Sequence, residues 1–304
     1  MKAVSSCAAL LCLLLLPAHA QVGFVQVAIT NGYNFLGNPL SASDTNGVMN
    51  NSITNVLASG NASPAIPAGA AVYLWNTSSQ AFGAPSIYSS ATGWSLSYDL
   101  PPGKGFALYS PSAWTLFFVG GVVSGLSTNT LPGTNKFALV ASKVAISGDF
   151  SSTSLSLPAT DGQNVYLFRT NSQAFSDAFT YFNGYGWFDP DGLSGTNGPV
   201  VFVAQSFFVQ HPGPDLNWVQ NYSGPVAPPP ANTSSIIAGA RLQSMTLNAQ
   251  SVVLRVVNSA GNTYSVSFST DGSSWKTLAN NQTASIWTGP NPGVSHGYYR
   301  VTTP

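Results

Sequence analysis

Past residue 20 the chain has no cysteine, because Cys7 and Cys12 both fall within its first twenty residues. Disulfides, thiolate nucleophiles and cysteine-ligated metals are therefore excluded from the remainder. Glutamate is missing altogether, and all nine acidic residues are aspartates. Charged side chains make up 6% of the chain, against roughly 25% in ordinary domains. After residue 20, eight basic residues face nine aspartates, a balance near −1. A surface of this kind steers little, so nucleic acid is not an expected partner. Solubility must come from Ser, Thr, Asn and Gly, and such weak repulsion permits self-association. No long apolar run follows the first twenty residues, so no membrane span is expected.

Those first twenty residues read as a secretory leader. Lys2 gives the positive start, residues 8–17 the apolar run, and Ala18-His19-Ala20 the small-x-small cleavage site. Cys12 follows Leu11 inside the run, which does not suit lipidation. The expected product begins near Gln21 and is secreted or held at the cell surface. About 284 residues remain, enough for one large domain or two to three small ones.

Helical periodicity is nearly absent. The spacing of Met49, Ile53, Val56 and Leu57 suggests one short helix. Elsewhere short β-branched and aromatic runs alternate with turn dipeptides such as Asn31-Gly32, Asn46-Gly47, Asp161-Gly162, Asn183-Gly184 and Asp271-Gly272. The expected class is all-β.

The chain also repeats itself. VYLWNTSSQAF at 72–82 returns as VYLFRTNSQAF at 165–175, with eight of eleven positions identical at an offset of 93. Gly93-Trp94 returns as Gly186-Trp187 at the same offset. Gly105-Phe106-Ala107-Leu108 answers Ser206-Phe207-Phe208-Val209, and Trp114 answers Trp218. At the front, Phe35-Leu36-Gly37 lines up with Phe137-Ala138-Leu139. This gives two tandem sandwich- or barrel-like β-units, 21–125 and 126–221. In residues 72–77 both alternating faces are largely apolar, which predicts a central strand covered on both sides. The tips Thr77-Ser78-Ser79-Gln80 and Thr170-Asn171-Ser172-Gln173 read as hairpin turns.

Residues 222–235, with three consecutive prolines, read as a semi-rigid linker. A small C-terminal β-sandwich, 236–304, follows. Within it Val252, Leu254 and Val256 alternate with Val253, Arg255 and Val257, and Tyr264, Val266 and Phe268 alternate with serines. Residues 258–262 would join these two strands as a hairpin.

GYNFLGNPL at 32–40, VYLWN at 72–76 and PPGKGFALY at 101–109 resemble a β-module common in secreted and surface proteins of bacteria. Its pattern is G-[WY]-N-L-I-x-N-P, then [VI]-Y-x-[WY]-[ND], then P-G-x-G-F-[FA]-V. The second unit lacks the Asn-Pro opening and the Gly before Phe207. YSVSFSTDGSSWKTL at 264–278, with YYRV at 298–301, resembles small β-sandwich modules that end many secreted bacterial proteins. The resemblance implies an accessory or adhesive role.

Catalytic signals are sparse. Gly293-Val294-Ser295-His296-Gly297 has the G-x-S-x-G form, but no acid or histidine follows it and a nucleophile elbow needs a strand–turn–helix setting. A polar turn before the last strand is the better reading. His211 and His296 cannot make a structural zinc site. Asp189-Pro190-Asp191-Gly192 loosely resembles part of a calcium loop, with Asp189 and Asp191 as a weak candidate pair. Glycoside hydrolysis needs two carboxylates; Asp149, Asp161, Asp189, Asp191 and Asp215 are available, and no spacing singles out a pair. The remaining candidates are aromatic. Trp75, Trp94, Trp114, Phe106 and YFNGYGWF at 181–188 can fill cores or form platforms on which sugars stack. Trp94, Trp187 and Tyr185 are the candidate ligand contacts.

The expected function is therefore non-enzymatic surface attachment or matrix structure, without a cofactor. Extracellular glycans or other surface proteins are the expected partners. A carbohydrate-binding accessory role is the alternative, and an Asp-dependent hydrolase a more distant one.

Overall fold

The protein is described here by a computed structural model covering residues 22–44, 48–153, 155–190, 192, 195–222, 241–247, 250–257, 263–271 and 274–302. The expected leader, the linker beyond Tyr222, the loop 258–262, Asp191 and the turns at Asn46-Gly47 and Asp271-Gly272 lie wholly or partly outside these residues.

The fold is all-β, with one short helix among the described residues, Ile53–Val56. Ile53, Val56 and Leu57 are buried, whereas Met49 bridges to Ser43 and is exposed. Met49 therefore belongs to a small loop closure, and the helix is shorter than its periodicity suggests.

Both units carry the same antiparallel sheet. In the first, the order is Gly32–Gly37, Gly105–Ser110, Ala71–Asn76, Ser86–Ser89, Gly93–Trp94. In the second it is Ala138–Ala141, Ser206–Gln210, Asn164–Arg169, Phe179–Phe182, Gly186–Phe188. Ala81–Phe82 and Ala174–Phe175 close matching hairpins on the central strands. One cross-strand row reads Leu36, Phe106, Leu74 and its counterpart Val140, Phe207, Leu167. Leu36 thus corresponds to Val140, and Phe35 to Leu139. This corrects the alignment of Phe35 with Phe137 by two residues. The loops ahead of the two strands differ in length, and a repeated aromatic does not reveal such a shift.

The central strands are covered on both faces, as their composition predicts. Val72 and Leu74 turn to the first unit's own core, with Ile29, Leu36, Phe106, Leu108, Trp114 and Leu116. Tyr73 and Trp75 turn the other way, onto Phe35, Ala107, Leu139, Phe208, Phe137, Tyr166 and Phe168. That second layer joins the two units. At its centre Phe35 pairs with Ala107 in one sheet, while Leu139 pairs with Phe208 in the other. The larger side chain stands on the edge strand in the first sheet and on its inner neighbour in the second, and the Phe35 and Phe208 rings meet at 6.2 Å.

The joint is reciprocal. The Gln173 side chain accepts the Tyr33 N–H at 2.6 Å and donates to the Tyr33 carbonyl at 3.1 Å. Gln80, at the matching place in the other repeat, accepts the Phe137 N–H at 2.9 Å and donates to the Phe137 carbonyl at 3.1 Å. The Gly37 N–H donates to the Ala204 carbonyl at 2.9 Å, and the Ala141 N–H to the Gly103 carbonyl at 3.0 Å. Leu36 bridges to Gln205, and Val140 to Lys104. Glycines permit this approach: a Cβ on Gly37 would lie 2.1 Å from the Ala141 Cβ, and one on Gly105 2.7 Å from Leu139 Cγ. In the second unit Ala204 takes the left-handed conformation of Gly103, with φ of 65° against 92°. The repeated hairpin is thus a clamp as well as a turn, and the two units form one body with approximate two-fold symmetry.

Strands also cross the sequence boundaries. Val22–Ile29 lies between Trp114–Gly121 of the first unit and the last strand, His296–Thr302. Val22, Phe24 and Phe117 share a core with Leu247, Val252, Leu254, Val256, Tyr264, Val266, Tyr299 and Val301. The C-terminal section therefore packs on the first unit. Within it, Ser251–Val257 pairs with Arg241–Leu247 and Ile286–Pro290, while Tyr264–Ser269 pairs with Lys276–Gln282 and His296–Thr302. The expected hairpin between the first and second of these runs is overturned: they belong to opposite sheets. Val252, Leu254 and Val256 share one core with Tyr264 and Val266, but alternation says nothing about which strand is the neighbour.

Candidate functional site

The matching hairpins at 86–94 and 179–188 carry most of the aromatic candidates. In each, a Tyr faces a Trp across the strand pair, Tyr88 with Trp94 and Tyr181 with Trp187. Their ring centroids are 5.2 and 5.4 Å apart. Trp94 is half-buried, and its Nε1–H donates to the Leu57 carbonyl at 3.1 Å. Trp187 is 1% exposed and also packs on Phe150 at 4.9 Å. Trp187 therefore fills the second unit's core, which corrects its expected role as a ligand platform. Trp114 and Phe106 are buried too.

Tyr185 is different. It sits in the turn at 183–185, which Asp161 steadies by accepting the Asn183 N–H at 2.8 Å. Its side chain is 60% exposed, and Phe182 and Phe188 beside it are 45% and 49% exposed. The register places Thr180 opposite both Asn164 and Phe188. Phe182 and Phe188 therefore share the sheet face of Tyr166 and Phe168, beyond the part that the first unit covers. Between them, Gly186 at φ 99° lets the Thr196 carbonyl approach; a Cβ there would lie 2.6 Å from that oxygen. The rings stand on a fixed hairpin.

The first unit has the same hairpin without the rings. Residues 88–95 read YSSATGWS against YFNGYGWF at 181–188. The shared Tyr, Gly and Trp pack the hairpin, and the positions that differ put Ser89, Thr92 and Ser95 where the second unit has Phe182, Tyr185 and Phe188. Phe182 and Phe188 lie in the stretch 181–188 that the sequence offers as a platform, and this comparison is the signal that separates them from the core residues Tyr181 and Trp187.

Some of the polar candidates have structural partners, whereas Asp149 Oδ1 and His211 Nδ1 are buried without a hydrogen bond. Asp215 accepts the Gly133 N–H at 2.8 Å. Asp189 is buried, and its calcium partner Asp191 lies outside the described residues. Among the described residues no three His, Cys, Asp or Glu gather as a metal site. His211 is fully buried, with Nε2 3.3 Å from the Leu131 carbonyl. The G-x-S-x-G segment runs from a loop into the strand His296–Thr302, with the Ser295 carbonyl accepting the Gln26 N–H at 2.5 Å. Lys104, at the joint, has its pKa lowered by burial.

No protein-family model matches the chain. No curated protein matches it either. Among solved structures, the crystal structure of a beta-1,2-glucanase from Parabacteroides distasonis aligns at 12% identity and a TM-score of 0.20. The alignment covers 59% of this chain and 25% of that one, so the chain spans about a quarter of the enzyme's length. A likeness at that score carries no argument about fold or activity.

Proposed function

We propose that this chain is a secreted, non-enzymatic attachment protein that holds extracellular glycans on exposed aromatic rings. One observation carries the reading. Phe182, Tyr185 and Phe188 stand exposed on a hairpin whose twin in the same molecule folds with Ser89, Thr92 and Ser95. The twin hairpin folds without those rings, and leaving them about half exposed forgoes part of a burial worth about 1.5–3 kcal/mol for a fully buried large side chain. Sugars offer C–H faces that stack on such rings and hydroxyls that bond to nearby polar groups. The low charge of the chain suits a neutral ligand.

The test is retention on a panel of insoluble neutral polysaccharides. The wild-type protein should be held by at least one, and Phe182→Ser/Tyr185→Thr/Phe188→Ser should be released from it with its circular dichroism intact. Equal retention of the triple variant, or retention of the wild type by none, would overturn the reading. Turnover of a glycan that is lost on replacing one aspartate would overturn its non-enzymatic part.

A further inference from the structure

A second group of accessible rings lies in the first unit. Tyr33 and Tyr109 are cross-strand partners, and Ala71, two residues before Tyr73, is the other partner of Tyr109. The three tyrosines thus share the sheet face that meets the second unit, at its open end. The Tyr33 ring lies 5.3 Å from Tyr109 and 6.1 Å from Tyr73, and Tyr33 is 41% exposed. Tyr73 and Tyr109 are half-buried. Burial raises the Tyr73 pKa, and the neighbouring Tyr33 and Tyr109 phenols raise it further. The cluster presents phenol hydroxyls, which can both donate and accept hydrogen bonds.

The second unit does not repeat this chemistry. Its matching positions are Phe137, Tyr166 and Gln210, so a single phenol remains. Both units help to build the cluster, because Gln173 from the second unit grips the Tyr33 backbone. A Cβ on the adjacent Gly32 would lie 2.3 Å from the Gln173 Oε1, so this approach requires glycine. Phe82 closes the other side, 6.4 Å from the Tyr73 ring. The rings are pre-positioned, and tyrosine loses little conformational freedom on contact.

We infer that Tyr33, Tyr73 and Tyr109 form a second contact site, for a neutral sugar unit, so that one protein grips a glycan at two places. This rests on the glycan-attachment reading. Two linked sites hold a polymer more tightly than either does alone, by effective concentration and not by any new contact.

Calorimetric titration of the whole chain tests it. The probes are neutral gluco-, xylo- and manno-oligosaccharides, followed by the polysaccharide that retains the protein. The variants are Tyr33→Phe/Tyr73→Phe/Tyr109→Phe, which keeps the rings, Tyr33→Ser as an independent lesion, and the hairpin triple variant. The wild type should take up about two short oligosaccharides, and each site variant about one. Affinity for the polymer should fall about 100-fold or more in either case. One equivalent for the wild type, unchanged by either tyrosine variant, would overturn the second site and leave the hairpin reading intact. No uptake by the wild type from any probe would overturn the attachment reading and this inference with it.

Discussion

The two repeats share a frame and differ at their surfaces. Where YSSATGWS and YFNGYGWF agree, the residues build the hairpin: Tyr88 and Tyr181 pack on Trp94 and Trp187. Where they differ, the second repeat puts three aromatic rings into solvent and the first puts Ser and Thr. At the opposite margin the pattern reverses, with three tyrosines in the first repeat and Phe137, Tyr166 and Gln210 in the second. Duplication therefore separates two kinds of information inside one chain. Recurring residues report architecture, and departures from recurrence report what each copy was free to do.

The largest test of the shared frame is Phe35→Ala. This ring lies 4.5 to 6.2 Å from Phe168, Phe175, Phe82 and Phe208. Its loss should cost about 3–5 kcal/mol in urea unfolding. A cost below about 1 kcal/mol, well short of that range, would mean that the two units do not share a core. The clamps offer a finer comparison. Gln80 is half-buried and Gln173 exposed. Gln80→Ala, which strands the Phe137 N–H while the Trp75 Nε1–H still donates to the Phe137 carbonyl at 2.8 Å, should cost about 1–2 kcal/mol. Gln173→Ala, whose Tyr33 partner groups remain open to water, should cost less. Equal costs would show that exposure does not set the value of the clamp.

The seam with the C-terminal section should respond to alkaline pH more strongly than the joint between repeats, where burial raises the Tyr73 pKa. Burial pushes the Tyr298 and Tyr299 phenols well above their ordinary value. The folded state holds these protons while the unfolded chain releases them near pH 10. Their contribution is thus complete below about pH 10 and is lost as pH rises from there toward the folded-state pKa. Tyr299→Phe should move the alkaline unfolding midpoint upward, followed by circular dichroism. Tyr73→Phe, at the joint between repeats, should move that midpoint upward by less.

Much of the frame was legible in the sequence. Short alternating runs and turn dipeptides pointed to an all-β chain, and the repeated VYL segment with two apolar faces predicted a strand covered on both sides. What covers its second face was not legible, because it is the sister repeat and the partner is distant in sequence. The same limit explains the pairing of Val22–Ile29 with His296–Thr302 and the sheet change between Val257 and Tyr264. Alternation reports a face, and neighbours are chosen by the whole chain. The site was half legible. Tyr185 was singled out, while Trp187, singled out as the repeat counterpart of Trp94, is core. Gln80 and Gln173 were visible as a repeated turn tip, but their targets are backbone groups, which leave no mark in composition.

The most direct measurement is a surface exchange between the hairpins, with Ser89→Phe/Thr92→Tyr/Ser95→Phe in one chain and Phe182→Ser/Tyr185→Thr/Phe188→Ser in another. Each chain is assayed for glycan affinity and urea stability. The removal variant should lose at least about tenfold in affinity, as loss of one ring–sugar contact worth about 1.4 kcal/mol would require. Its stability should change by no more than about 0.5 kcal/mol, and the graft should add binding at the first hairpin. Unchanged affinity in the removal variant, or collapse of its fold, would show that the three rings belong to the frame and not to a binding surface.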